Sequence, residues 1–119
     1  GALPALRVAG LTETTRTIQV AINNADDPSL STDGGHGVIG FEHTIGGAVA
    51  ITPPVPGGTS AMPDGAFLIA ANRAVLDPAV PGFLPPCSGR AGHVYLAEVT
   101  ALDAEGQATG LGSIRLGRY

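Results

Sequence analysis

Two side chains with useful chemistry stand two residues apart late in the chain, His93 and Tyr95. On an extended strand residues i and i+2 share a face. An imidazole and a phenol would therefore project together from the mouth of a strand spanning residues 93–102, HVYLAEVTAL. Imidazole donates or accepts a hydrogen bond and titrates near neutral pH, while a phenol does both without charge. Just upstream, Pro85 and Pro86 lock two φ angles and remove two donors. A small-residue loop follows from Cys87 to Gly92, in which Gly89 and Gly92 can take positive φ or let another group approach the backbone. A rigid rim above a polar strand mouth reads as one wall of a small-ligand pocket.

Other candidates lie in the first half. Residues 23–37, NNADDPSLSTDGGHG, form a long turn-rich loop that includes Asn24, Asp26 and Asp27. Asp26 and Asp27 beside Pro28 serve equally well as turn formers or as site residues. The run at 38–45, VIGFEHTI, sets His43 on one face with Ile39, Phe41 and Ile45. Such a histidine is either a hydrogen-bonded core residue or a ligand contact, and Tyr95 poses the same choice. Cys87 has His93 as its one candidate activating base. His36 lies in a Gly-rich loop and is expected to be exposed. Asp26, Asp27, Asp33, His36 and His43 match no metal-ligand spacing, and there is no Gly-x-Ser-x-Gly elbow or phosphate loop. No metal and no cofactor are expected.

The elements that must carry these residues are short strands. Residues 4–9 alternate, with Leu6 and Val8 on one face, and 16–22 alternate with Ile18, Val20 and Ile22 inward. Gly46-Gly47 suggests a tight turn that makes 38–52 a hairpin. Residues 52–65 read as a Pro/Gly loop, 67–73 as a strand or a turn of helix, and Leu111, Ile114 and Leu116 mark a closing strand. With 18 Gly, 10 Pro and no amphipathic helix, the expected class is all-β, an antiparallel β-sandwich. A length of 119 residues fits one domain, residues 1–119, with one modest core.

Charge narrows the partners. Net charge is −4, and the six basic residues are all arginines spread along the chain, which argues against a nucleic-acid groove or an anionic-membrane patch. No apolar run is long enough to insert in a membrane as a helix. The chain as given opens without a signal peptide, and its single Cys87 cannot form an intrachain disulfide, which together favour a cytoplasmic setting.

Taken in order, several blocks resemble the phosphatidylethanolamine-binding protein family, which includes the bacterial and fungal Raf-kinase-inhibitor-like proteins. They are Gly82, Pro85-Pro86, Gly89, Gly92-His93 and Tyr95, and the strand end Ala101-Leu102-Asp103. Asn24-Ala25-Asp26-Asp27-Pro28 sits where the family has Asp-Pro-Asp-Ala-Pro, keeping its second Asp and last Pro, and Asn72 matches an Asn before the Pro-rich loop. The resemblance covers roughly residues 4–103. It implies a β-sandwich in which Asn24, Asp26, His43, His93 and Tyr95 converge on one cavity rimmed by Pro85, Pro86 and Gly89, binding a small anionic or polar molecule. His43 falls where the family's ligand-site His belongs. Some relatives act as cyclases in natural-product pathways, pericyclic ones included. The resemblance therefore also admits a cofactor-independent cyclase in which His43, Tyr95 or Asp26 supplies a hydrogen bond or a proton to a bulky substrate. A homodimer paired through strand edges is also compatible with such a chain.

Overall fold

The computed structural model describes residues 2–44, 47–57, 61–74, 82–87 and 91–119. Among these residues nine strands run in chain order: β1 Ala2–Leu3, β2 Arg7–Ala9, β3 Thr17–Asn24, β4 Gly37–Glu42, β5 Val49–Ile51, β6 Val55–Pro56, β7 Ala66–Ala70, β8 Val94–Leu102 and β9 Ala108–Arg118. The described residues hold no helix, and every strand pair is antiparallel. The protein is therefore all-β, as its turn-rich composition implies.

β3 and β8 form the middle of a five-stranded sheet ordered β7-β4-β3-β8-β9. Their alternating β-branched and aliphatic residues suit a pleated surface with one dry face. The register aligns that face into rows: Leu68, Ile39, Val20 and Val99 in one, and Ala66, Phe41, Ile18 and Ala101 in the next. Ile18, Val20, Ile22 and Ile39 are all but fully buried. Each contributes about 1.5–3 kcal/mol of transfer free energy.

Residues 2–9 run antiparallel to 49–56 as two short ladders, β1 with β6 and β2 with β5. Pro53 and Pro54 interrupt the pairing, because proline has no N–H to donate. Thr52 bridges the gap: Leu6 N–H donates to Thr52 Oγ1 at 3.0 Å and Thr52 N–H to Leu6 O at 2.8 Å. Leu3, Leu6 and Val55 from this ribbon join Ile18, Val20, Ile39, Phe41, Phe83 and Tyr95 in one core cluster.

The hairpin expected over 38–52 is not formed. β4 has its edges taken by β3 and β7, and β5 pairs with β2 in a different sheet. Gly46 of the expected turn, and Ile45 before it, lie outside the described residues. Local turn chemistry suggested the pairing, and non-local partners decided it. Of residues 67–73, which the sequence allows as strand or a turn of helix, 67–70 belong to strand β7 and the rest are irregular.

β9 carries two irregularities. Its register against β8 shifts between Tyr95 and Leu96 and between Ala101 and Leu102, so that Leu116 and Thr109 are extra residues on the β9 side. At the first shift Gly117 adopts φ +120°, a conformation that favours glycine. The strand bends there, and Tyr119 reaches the His93 carbonyl, its N–H donating at 3.0 Å.

Gly37 opens β4 at φ +123°, opposite Ile22, and a Cβ there would sit 2.6 Å from Phe83 Cβ. Gly37→Ala should therefore cost about 2–5 kcal/mol, combining backbone strain with overpacking, read from urea unfolding. In the same assay Ile39→Ala should cost about 2–5 kcal/mol. Ile51→Ala, at a side chain 73% exposed, should stay within about 0.5 kcal/mol of the parent.

Candidate functional site

The β3–β8 ladder ends at the pair Asn24↔Tyr95. Beyond it the two chains stay tied by turn hydrogen bonds. Ala25 N–H donates to Val94 O at 2.9 Å, and Val94 N–H donates to Asp26 Oδ2 at 2.7 Å. Asn24 and Tyr95 are both buried, and His93 beside them is half-buried. The Asn24 amide nitrogen lies 2.9 Å from His93 Nδ1 and donates to the Tyr95 hydroxyl at 3.4 Å. Asn24 Oδ1 in turn accepts the Asp26 N–H at 3.1 Å. Three expected site residues, Asn24, His93 and Tyr95, are thus brought together, and their hydrogen bonds are mutual.

A fourth residue was expected elsewhere. His36 is only 4% exposed, where a Gly-rich loop had suggested an exposed side chain. Its ring meets the Tyr95 ring edge to face, with centroids 5.0 Å apart. The position follows from the β3–β4 pairing. β4 begins opposite Ile22, and His36 N–H donates to Ile22 O at 2.9 Å, so the residue preceding β4 arrives at the same sheet end as Asn24. The available signal was the Gly-Gly-His-Gly run immediately before an apolar strand antiparallel to β3.

Two loops hold His36 in place. Residues 25–35 fold over the outer face of β3, where Asn23 Oδ1 accepts the N–H groups of Gly34 and Gly35 at 2.8 and 3.3 Å. The Arg73 guanidinium gathers the carbonyls of Ser29, Thr32 and Asp33 from outside, and Arg73 N–H donates to Gly35 O. The Pro-rich segment is stitched on the other side. Leu84 N–H donates to His36 O at 2.8 Å, and the Asn72 amide donates to Gly82 O at 2.9 Å. Pro85 packs against Gly57, leaving no room there for a Cβ. Pro85 is therefore held beside His36 and Pro86 follows it as a buried residue, while Gly89 lies outside the described residues.

His43 does not join this group. It stands at the opposite end of β4, seven residues from His36, on the order of 20 Å along an extended strand. It is buried, its Nε2 lies 2.7 Å from Gly47 O, and it lines an open cavity of about 270 Å³ with Glu42, Val49 and Ile51. Period-two alternation assigns the face on which His43 lies, but not the end of the sheet. Asp26 is near the group, yet its carboxylate takes the Val94 N–H, as a turn-forming Asp would. Asp27 likewise caps Ser29. The Ser29 hydroxyl and then its N–H hold the Asp27 carboxyl below its usual range, with burial opposing and His93 and His36 adding slightly. Cys87 is exposed. Among the described residues no three His, Cys, Asp or Glu side chains gather to hold a metal ion.

Compared with protein-family models, with curated proteins and with solved structures, the chain finds no match in any of the three.

Burial pushes the His36 imidazole below its ordinary value of 6.5, opposed by the Leu84 backbone, the charge of Asp27 and the Pro85 backbone. Its Nδ1 is buried with no hydrogen-bond partner among the described residues. A buried polar nitrogen left bare is costly.

The sign of the pH effect follows from the direction of the shift. Below pH 6.5 the unfolded chain takes up a proton that folded His36 resists, so stability falls with falling pH. The slope from this group is at most about 1.4 kcal/mol per pH unit. It ends once the pH passes below the folded value, and above 6.5 the group contributes no dependence. His36→Gln should flatten that segment of the stability–pH curve, measured by urea unfolding from about pH 7 downward.

Proposed function

We propose that this chain is a binding protein for a small polar or anionic molecule, a β-sandwich of the phosphatidylethanolamine-binding kind. In this reading Asn24, His36, His93 and Tyr95 form the site beneath Pro85 and Pro86. The observation that carries it is the meeting of four polar side chains at one sheet end, two of them imidazoles, with His36 Nδ1 buried and unpartnered. The sharing of one core by the five-stranded sheet and the two small ladders supports the sandwich. The resemblance supports the location: its Asp-signature, Pro-rich and His-x-Tyr blocks supply the residues around Tyr95. His36 then takes the role that the resemblance gave to His43. Hydrogen bonds made in such a dry setting are stronger than in water, which suits recognition by few contacts.

Thermal-shift and NMR titrations with phosphate, acetate, phosphoethanolamine and N-methylacetamide test this. At least one of these probes should stabilise the wild type and move the His93 and Tyr95 resonances. Tyr95→Phe keeps the core volume and removes one hydroxyl, so it should weaken that binding about fivefold or more, with His36→Gln similar. A panel that leaves all resonances unmoved, or variants that bind as the wild type does, would sink the proposal.

A further inference from the structure

Asn24 contains a constraint that reaches beyond the presence of a site. A backbone N–H can only donate, so the Asp26 N–H at 3.1 Å identifies the Asn24 atom facing it as the oxygen. The other end of the amide, 2.9 Å from His93 Nδ1, is then the NH2 group, which has no lone pair to offer. Two donors cannot share one hydrogen bond. His93 Nδ1 must therefore accept, and the ring proton must lie on Nε2. The same NH2 group donates to the Tyr95 hydroxyl, whose oxygen serves as acceptor and whose own proton is directed elsewhere.

Of the two nearby carboxylates, Asp26 accepts the Val94 N–H on Oδ2 and Asp27 accepts the Ser29 N–H and hydroxyl on Oδ1. His36 is favoured in its uncharged form by burial. We infer that Asn24 is the specificity-determining residue of this site. By donating to His93 Nδ1 it leaves that ring neutral with its proton on Nε2, so the site takes an uncharged hydrogen-bonding group, of the amide or carbonyl class, in preference to phosphate. This rests on the binding reading above. Phosphate would meet two uncharged imidazoles with the Asp26 and Asp27 carboxylates nearby, which oppose its desolvation rather than offset it. An amide asks for no such charge. Its oxygen accepts and its N–H donates, so it can satisfy His36 Nδ1 whether that atom bears a proton or a lone pair.

Asn24→Asp inverts the constraint while keeping an oxygen for the Asp26 N–H. A carboxylate at 24 requires a proton on His93 Nδ1, and its negative charge favours keeping the second proton on Nε2 as well, which makes the ring a charge-assisted donor.

The experiment is histidine 15N NMR on the ligand-free wild type at neutral pH, followed by titration of wild type and Asn24→Asp with N-methylacetamide and with inorganic phosphate. His→Gln variants assign the three rings. Expected are a bare Nδ1 and protonated Nε2 for His93 in the wild type, and wild-type resonances moved by N-methylacetamide rather than phosphate. Phosphate affinity should rise about tenfold in Asn24→Asp. A wild-type His93 that is protonated on Nδ1 overturns the inference whatever binds, and that measurement needs no variant to fold. Phosphate binding the wild type as tightly as it binds Asn24→Asp overturns the inference but leaves the binding site standing. Failure of both probes to move either protein removes the site itself and this inference with it.

Discussion

β3 and β8 pair without a slip from Thr17↔Leu102 to Asn24↔Tyr95. Side chains on a strand alternate, so a shift of one residue would turn every inward side chain of β3 outward. Ile18, Val20 and Ile22 would lose their core contacts, and Asn24 would leave Tyr95 in the same movement. The burial that stabilises the sheet and the hydrogen bonds that define its polar end are therefore set by one register. Three fully buried aliphatic side chains on β3 favour that register far more strongly than a single polar contact could.

The adjacent asparagines at the end of β3 divide the work between the two faces of the sheet. Asn23 points outward and accepts two loop N–H groups, and Asn24 points inward to His93 and Tyr95. Because the outer loop carries His36, its anchoring by Asn23 and Arg73 bears directly on the inner face. The Pro-rich segment reaches the same residue from the other side through Leu84. Polar satisfaction of the backbone and placement of the histidine are one problem here, solved by the same hydrogen bonds.

Local pattern made part of this legible. The alternation of Ile18, Val20 and Ile22 defines β3, and the two-residue spacing of His93 and Tyr95 brings both to one strand mouth. Turn-rich composition carries the all-β class. Pairing between distant strands was not legible, since periodicity gives a residue its face but says nothing about its neighbour. The resemblance placed His43 beside Tyr95 although it lies at the far end of β4, and the Gly46-Gly47 turn signal placed β5 beside β4 although it pairs with β2. His36 was hidden by composition: glycines around it suggested solvent. They instead allow close backbone approach, as at Gly35, where a Cβ would collide with Leu30, and at Gly37 beneath Phe83.

The two irregularities in β9 also bear on how the protein behaves in a crowd. β9 stands at the edge of the sheet, and among the described residues no strand pairs with its outer side along the eleven residues Ala108–Arg118. A flat edge of that length is a template on which another chain could add as a further strand. The bulges at Thr109 and Leu116 interrupt the regular row of donors and acceptors near both ends, leaving residues 110–115 as the continuous stretch. Arg115 sets a charge at one end of that stretch. The distortion that lets Tyr119 turn toward His93 thus also shortens the surface on which fibril-like growth could begin.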